Sequence, residues 1–462
     1  MGEMMQELLL GAGRFFLHPL TYIAAAVFLL AIFAGIRRER RHFHTRAHDG
    51  ITVLLTQAAF GLGAGAAASI LLVGTGVTLS SALLLMMTVI WLLQLPFRRL
   101  RAFSFTVTTS VVILILPMLP GGGTGTVWLD DQLALLQETD LFSLGVLLVT
   151  LLFLETVLLA MDGARHPSPS LTRSPRGKVV GEQLLRRMWI MPAFALYPVG
   201  GMSGTGAWPL LEAGGFGFVL LPLVLGIDAS VRGDTPLSAK RRLTGRMTLL
   251  LLSAGVLLAA GWFYPIVVLV LAGVVLAGRE LLFSMFESGE RTRAGVYVPR
   301  NKGLVLMGII PGTTAEKLGM ETGEVVLRVN GKFIRTQRDF YRIMQEQATY
   351  VKLEVLDYQG EKRMLQASRY EHDHYLAGCL FLPDNEDQPL SRRGLRSSTV
   401  IHEDRRRLGS DEETDDTPAA EEEAGRQESG DSELVYGQAA GMKAFMEEHA
   451  PKRRRRDRSS DE

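Results

Sequence analysis

The chain has 462 residues, 47% hydrophobic and 21% charged, with a net charge of only +1. That mean conceals a division, since roughly the first 285 residues hold nearly all the long apolar runs and the remainder most of the carboxylates. The single cysteine, Cys379, excludes an intrachain disulfide and a cysteine-built metal site.

The first apolar run, 18–36, has only Arg14 on its N-terminal flank and ends in "RRERR" rather than a small-residue cleavage site. This is the charge pattern of a retained reversed anchor, not of a signal peptide. A helix needs about 20 apolar residues to cross the hydrocarbon core. Candidate crossings lie at 18–36, 51–74, 80–96, 103–120, 141–161, 188–201, 208–227, 247–262 and 264–281. They predict an α-helical multi-pass domain of about nine helices over 1–285. The sixth segment is short and interrupted by Pro192 and Pro198, and the last two read as a hairpin turning at "GWFYP".

Basic residues alternate between the connections. Arg37, Arg38, Arg40, Arg41 and Arg46 follow the first segment, Arg98, Arg99 and Arg101 the third. Arg165, Arg173, Arg176, Lys178, Arg186 and Arg187 follow the fifth; Arg232, Lys240, Arg241, Arg242 and Arg246 follow the seventh. The connections 75–79, 121–140 and 202–207 contain no lysine or arginine. Positive charge stays on the cytoplasmic side, so the N-terminus is expected outside and everything after 281 inside the cell. Trp128, Trp208 and Trp262 then fall at outer boundaries.

Within the second segment, Gly61 and Gly65 of "FGLGAGAAAS" have small-xxx-small spacing. They predict a close backbone contact, not a phosphate loop, because no strand precedes them and no lysine follows. Glu155 in the fifth segment either marks a function or a buried partner, or lies near the cytoplasmic end, snorkelling or paired with an inner-loop arginine. The Thr106, Thr108, Thr109 and Ser110 cluster reads as interhelical hydrogen bonding. Paired broken helices in two matching halves, the mark of many transporters, are not evident.

From about Ala294 short strands and turns take over. Lys302–Ile310 reads as a strand ended by Pro311-Gly312, and Thr313–Leu318 as a short helix with a Thr313/Glu316 capping box and a Gly319 stop. Glu324–Val329 reads as a strand, and Asn330-Gly331 as a tight hairpin turn. A helix over 336–347 presents Phe340, Ile343, Met344 and Gln347 on one face, and Tyr350–Tyr358 alternates with period two before "EKRMLQASR" closes the sheet. The order carried by "GLVLMGIIPGTTAEKLGMETGEVVLRVNG" resembles a bacterial PDZ domain, over 294–369. The resemblance implies a small α+β fold that binds extended peptides by strand addition. It implies a carboxylate nest at Asn301, Lys302 and Gly303 and a receiving strand with Leu304 and Leu306. Phe340, Ile343 and Met344 would stand opposite, although these apolar residues must also build the core.

Catalytic patterns fail. A zinc protease needs His-Glu-x-x-His on a helix. The one His-Glu step, His402-Glu403, continues Asp-Arg-Arg in a polar stretch. "GMSGT" is not a serine-hydrolase elbow, and His372 and His374 of "EHDHY" are a weak metal signal. Neither enzyme activity nor a cofactor or metal is expected. The tail from 383 to 462 is acidic, then basic at "KRRRRDR", and its composition predicts disorder. Its basic cluster suits anionic lipid, nucleic acid, an acidic partner or the chain's own acidic run.

Taken together, these features resemble the MinJ family of polytopic division-site selection proteins in Gram-positive rods, over roughly 15–370. "HPLTY…RRERRHFHTR" and "RGKVVGEQLLRRMW" add to the likeness. The resemblance implies a scaffold in the cell membrane, at poles and septum, that links the polar coiled-coil protein DivIVA to the ATPase MinD and other divisome proteins. No nucleic acid is implied. The alternatives are a membrane regulator that presents or restrains a protease through the PDZ domain, and a transporter with a sensory PDZ domain.

Overall fold

The computed structural model describes residues 2–97, 99–121, 123, 125–174, 177–202, 215–346, 350–368 and 378–383. The tail beyond 383, His372, His374, Trp208 and Gln347 therefore lie outside the described residues.

In chain order the membrane part comprises α1 (Gly2–Leu17), α2 (Pro19–Phe43), α3 (Gly50–Thr75), α4 (Ser81–Leu93), α5 (Phe105–Ile115), α6 (Val127–Gln137) and α7 (Leu141–Asp162). Strands β1 (Ser168–Arg173), β2 (Val179–Met202) and β3 (Phe216–Val231) follow, then α8 (Pro236–Gly261) and α9 (Ile266–Thr292). Five of these helices, α2, α3, α7, α8 and α9, are long and apolar enough to cross a bilayer. The expected third and fourth crossings are shorter helices of 13 and 11 residues. An N-terminal helix, α1, which the apolar-run search passed over, lies against β3.

The main correction concerns the sixth and seventh segments, read as helices. They form the antiparallel ribbon β2–β3, in register from Gln183↔Val231 to Tyr197↔Gly217. Strand backbone at membrane depth is tolerated only when protein covers it and its edges are satisfied. Both conditions are met. β3 is buried almost throughout, and helices line the outer edges of the ribbon.

On the β2 edge, α3 approaches through Gly61 and Gly65, where an added Cβ would overlap the carbonyl oxygens of Ile190 and Pro192. The predicted small-residue contact therefore exists, but its partner is a strand edge. On either side of the two glycines α3 supplies polar groups. The Ser69 hydroxyl accepts from Phe194 N–H at 2.9 Å. Gln57, its amide oriented to satisfy both ends, donates to Met188 O (2.8 Å) and accepts from Arg187 (3.0 Å). On the β3 edge the Gly11 position lies against Phe218 O, to which Arg14 donates at 3.1 Å. Gly226 O accepts from Arg279 at 2.9 Å. Pro192 and Pro222 face each other in the ladder, so neither edge presents an orphan N–H at that level. Pro192, which would break a helix, suits this stretch of β2, which lies beyond the part that pairs with β1 (Ser168↔Leu184 to Arg173↔Val179).

The C-terminal module contains β4 (Leu304–Ile309), α10 (Thr314–Lys317), β5 (Val325–Val329), β6 (Lys332–Phe333), α11 (Gln337–Glu346), β7 (Tyr350–Leu356), β8 (Lys362–Ser368) and β9 (Cys379–Phe381). Its sheet order is β8-β7-β5-β4-β9, with β6 on β5. Asn330 and Gly331 take the left-handed backbone the turn requires (φ 49° and 81°), and Gly319 ends α10 at φ 64°. The expected capping box at α10 does not form. The Thr313 hydroxyl turns back to Ile310 O, and Glu316 accepts instead from Gly312 N–H at 2.6 Å. Val351, Leu353 and Val355, on one face of β7, are fully buried, as their alternation predicts.

The module is docked on the base of the ribbon. Gly181 N–H donates to Tyr297 O (2.8 Å), and the Gln183 side chain to Met307 O (2.5 Å). Leu171 and Val179 share a buried cluster with Tyr297, Val305, Met307, Val325 and Leu382. Arg232 pairs with Glu182 (2.9 Å), and Arg242 with Asp234 and Glu290. The Arg-rich end of α2 reaches the same region, where Glu39 accepts from Ser168 (2.6 Å) and His42 from Leu171 N–H (3.1 Å).

Candidate functional site

Of the residues expected to form a peptide groove, Asn301 and Lys302 are exposed in the loop before β4. Gly303 is buried at φ 84°, and a Cβ there would sit 2.6 Å from Val326 O. Leu304, Leu306, Phe340, Ile343 and Met344 are brought together, but inside the module core, each 3% exposed or less. The strand expected to receive a peptide is interior. β4 pairs with β5 through Leu304↔Val326 and with β9 through Leu306↔Phe381 and Ile309↔Cys379. A peptide cannot add to β4 while β9 is in place, because its ladder groups are already bonded.

The edge of the sheet is β9, and sequence reading missed it. Its cue was small: "CLFL", four apolar residues between Gly378 and Pro383. Gly378 O accepts from Ile310 N–H, and Leu382 N–H donates to Val305 O. Alternation then turns the backbone groups of Cys379 and Phe381 away from β4, toward α11. Gln337 of α11 donates to Phe381 O at 3.3 Å, and the rings of Phe340 and Phe381 meet edge to face at 4.8 Å. Among the described residues no strand pairs with this side of β9. α11 packs directly on this side of β9, and Cys379, Leu380 and Phe381 are each 3% exposed or less, so the strand edge is covered. Burial pushes the Cys379 thiol up to about 12, so it is a packing residue there and not a nucleophile.

A second group lies in the membrane part. Glu155 of α7 is fully buried and paired with the fully buried Arg279 of α9 at 2.5 Å. Its other oxygen accepts from Ser104 (3.1 Å) and Thr106 (2.8 Å). Of the two expectations for Glu155, the paired carboxylate is the one found, with a helix rather than a loop supplying the arginine. The Thr/Ser cluster is interhelical in part: Thr106 bonds Glu155 and Thr108 bonds Gln94, whereas Ser110 bonds back to Thr106 O within α5. Phe283 lies between the Arg101 and Arg279 guanidinium groups, 5.4 and 5.3 Å from its ring centre. Arg101, 2% exposed, continues the chain of charges to Glu280 and Glu287. These contacts join α5, α7, β3 and α9, and they occupy both Glu155 oxygens. Among the described residues no group of three or more His, Cys, Asp or Glu side chains could hold a metal ion.

Where α7 meets β1, Trp189 donates to Asp162 (2.9 Å), Arg187 pairs with Asp162 (3.6 Å), and the His48 and His166 rings meet at 5.0 Å. Burial, with His166 and Arg187 alongside, lowers His48 to about 4. Burial and Arg187 also lower His166. Both rings are neutral in the fold at neutral pH, whereas the unfolded chain takes up these protons below about pH 6.5. Their contribution is therefore full above about pH 6.5 and lost as pH falls toward 4. The melting temperature of the purified protein should drop across that interval, and His48→Gln should flatten the drop.

No family model matches the chain. The cell division topological determinant MinJ of Bacillus subtilis (strain 168) is 31% identical over 400 residues, covering 83% of this chain and 98% of the relative. Probable MinJ proteins of Lacticaseibacillus paracasei and Lacticaseibacillus casei (strain BD-II) are each 25% identical over 354 residues, 75% of this chain and 90% of theirs. That near end-to-end match, over a body of membrane-length helices joined to a sheet-containing module, shows that the chain belongs to the MinJ family of cell division topological determinants.

Proposed function

We propose that this protein is a membrane adaptor of bacterial division-site selection whose C-terminal module is a PDZ-type receptor on the cytoplasmic face. The observation that carries this reading is the match over 98% of a MinJ protein, in a chain that joins membrane-length helices to a small sheet-and-helix module. The membrane helices confine the module to the bilayer and raise its effective concentration near other membrane-bound partners, so a modest affinity for an extended peptide suffices. Partners of the DivIVA and MinD types, and enrichment at septum and poles, belong to the same proposal.

The basic connections support a cytoplasmic module. Each strand of the ribbon replaces one helical leg, so the alternation of charged and uncharged connections survives the change from helix to strand. The test is crosslinking in growing cells, comparing the full chain with a deletion of 294–383, which removes β9 as well. Loss of division proteins from the deleted form is expected. An unchanged crosslinked set, or a fluorescent fusion spread evenly around the envelope, would overturn the reading.

A further inference from the structure

Between the C-terminal half of α2, the start of α3 and β2 lies a cavity of about 580 Å³, a size typical of ligand sites. One end is apolar, walled by Leu30, Ala31 and Gly35 of α2. The other end holds Arg38, Arg186 and Arg187. Two of these arginines are committed, Arg186 to Asp228 (2.7 Å) and Arg187 to Asp162 and His166. The Glu39 carboxylate is taken by Ser168 and Ala47 N–H. Arg38, half-buried, makes no hydrogen bond or ion pair with any described residue, although Arg186 and the Asp228, Glu39 and Glu182 carboxylates face it at longer range.

We propose that this cavity binds one anionic phospholipid, its phosphate on Arg38 and an acyl chain along Leu30 and Ala31. Charge complementarity and position choose this occupant. The arginines sit where α2 passes from its apolar stretch into "RRERR", the depth of a headgroup. The apolar wall is continuous with bilayer-facing surface: Leu30 is 65% exposed, Phe33 64%, and Ile51 and Leu55 of α3 66% and 63%. A soluble anion would satisfy Arg38 but leave the apolar end unfilled, and water fills apolar cavities poorly. A neutral lipid would fill the apolar end, with no net negative charge for the arginines. Occupancy ties the seating of α2 and α3 against β2 to the anionic lipid content of the surrounding membrane.

The test uses the full-length protein in nanodiscs of phosphatidylcholine alone or with phosphatidylglycerol, read by native mass spectrometry and melting temperature. One retained phosphatidylglycerol per chain and a raised melting temperature are expected. Arg38→Gln should weaken retention at least about fivefold, the worth of one headgroup-level arginine. Gly35 lines the cavity and a Cβ there meets nothing within 4 Å, so Gly35→Phe should narrow the cavity, lower retention and leave the chain folded. Arg241→Gln, an exposed α8 position outside the cavity, should change nothing. Equal retention of phosphatidylcholine, equal effects of Arg38→Gln and Arg241→Gln, or equal stabilisation by inorganic phosphate in phosphatidylcholine nanodiscs would each overturn the proposal.

Discussion

Glu155→Gln should destabilise the membrane part by about 3–5 kcal/mol, the usual loss when one member of a buried ion pair is removed. The substitution leaves a fully buried guanidinium on α9 without its counter-charge. Arg279→Met should be comparably damaging, because it strands the carboxylate and also takes the donor from Gly226 O. The double variant Glu155→Gln/Arg279→Met should fall short of the summed losses by about 1–3 kcal/mol, since neither charge is then left alone. Unfolding of the purified full-length protein in detergent, followed by helicity, measures all three. The outcome also separates structural from transport roles for Glu155. A carboxylate that locks helices loses stability on neutralisation, whereas one that carries an ion loses function with stability intact. If Glu155→Gln melts like the parent protein, the locking role fails.

Gly65→Val should have an effect of similar size, about 3 kcal/mol, at the upper end of overpacking losses. The atom a new side chain would meet is the Pro192 carbonyl oxygen. That oxygen belongs to a ladder held on its far side by β3, so the backbone cannot give way. Gly63 is the internal control. It lies on the same helix, two residues away, and a Cβ there meets nothing within 4 Å. Gly63→Val should therefore cost little, and the better helix propensity of valine offsets part of any loss. Equal melting temperatures for the two variants would show that α3 does not press on the ribbon.

Parts of this architecture were legible before folding was considered. The module strands and α11 fall close to their expected places because alternation, an Asn-Gly turn and a 3.6-residue apolar stripe are local signals. Gly61 and Gly65 announced a close contact for the same reason, although only the fold names the partner. β9 was not legible. Three strand residues after a polar stretch carry almost no period, and they become an edge strand only because β4 leaves an unpaired side.

What the residues alone determined is the succession of apolar segments and which of their connections carry the positive charge, since hydropathy and arginine placement act residue by residue through the solvent. Which legs are helices and which are strands was decided only by tertiary structure. A run of about a dozen apolar residues has no periodicity that separates a buried helix from a strand covered on both faces. The ribbon is stable because Gly61, Gly65, Ser69, Gln57, Gly11 and Arg14, all more than a hundred residues away in sequence, close its edges. The partner of Glu155 was settled in the same way. Arg279, 124 residues distant, becomes its counter-ion only once α7 and α9 are side by side.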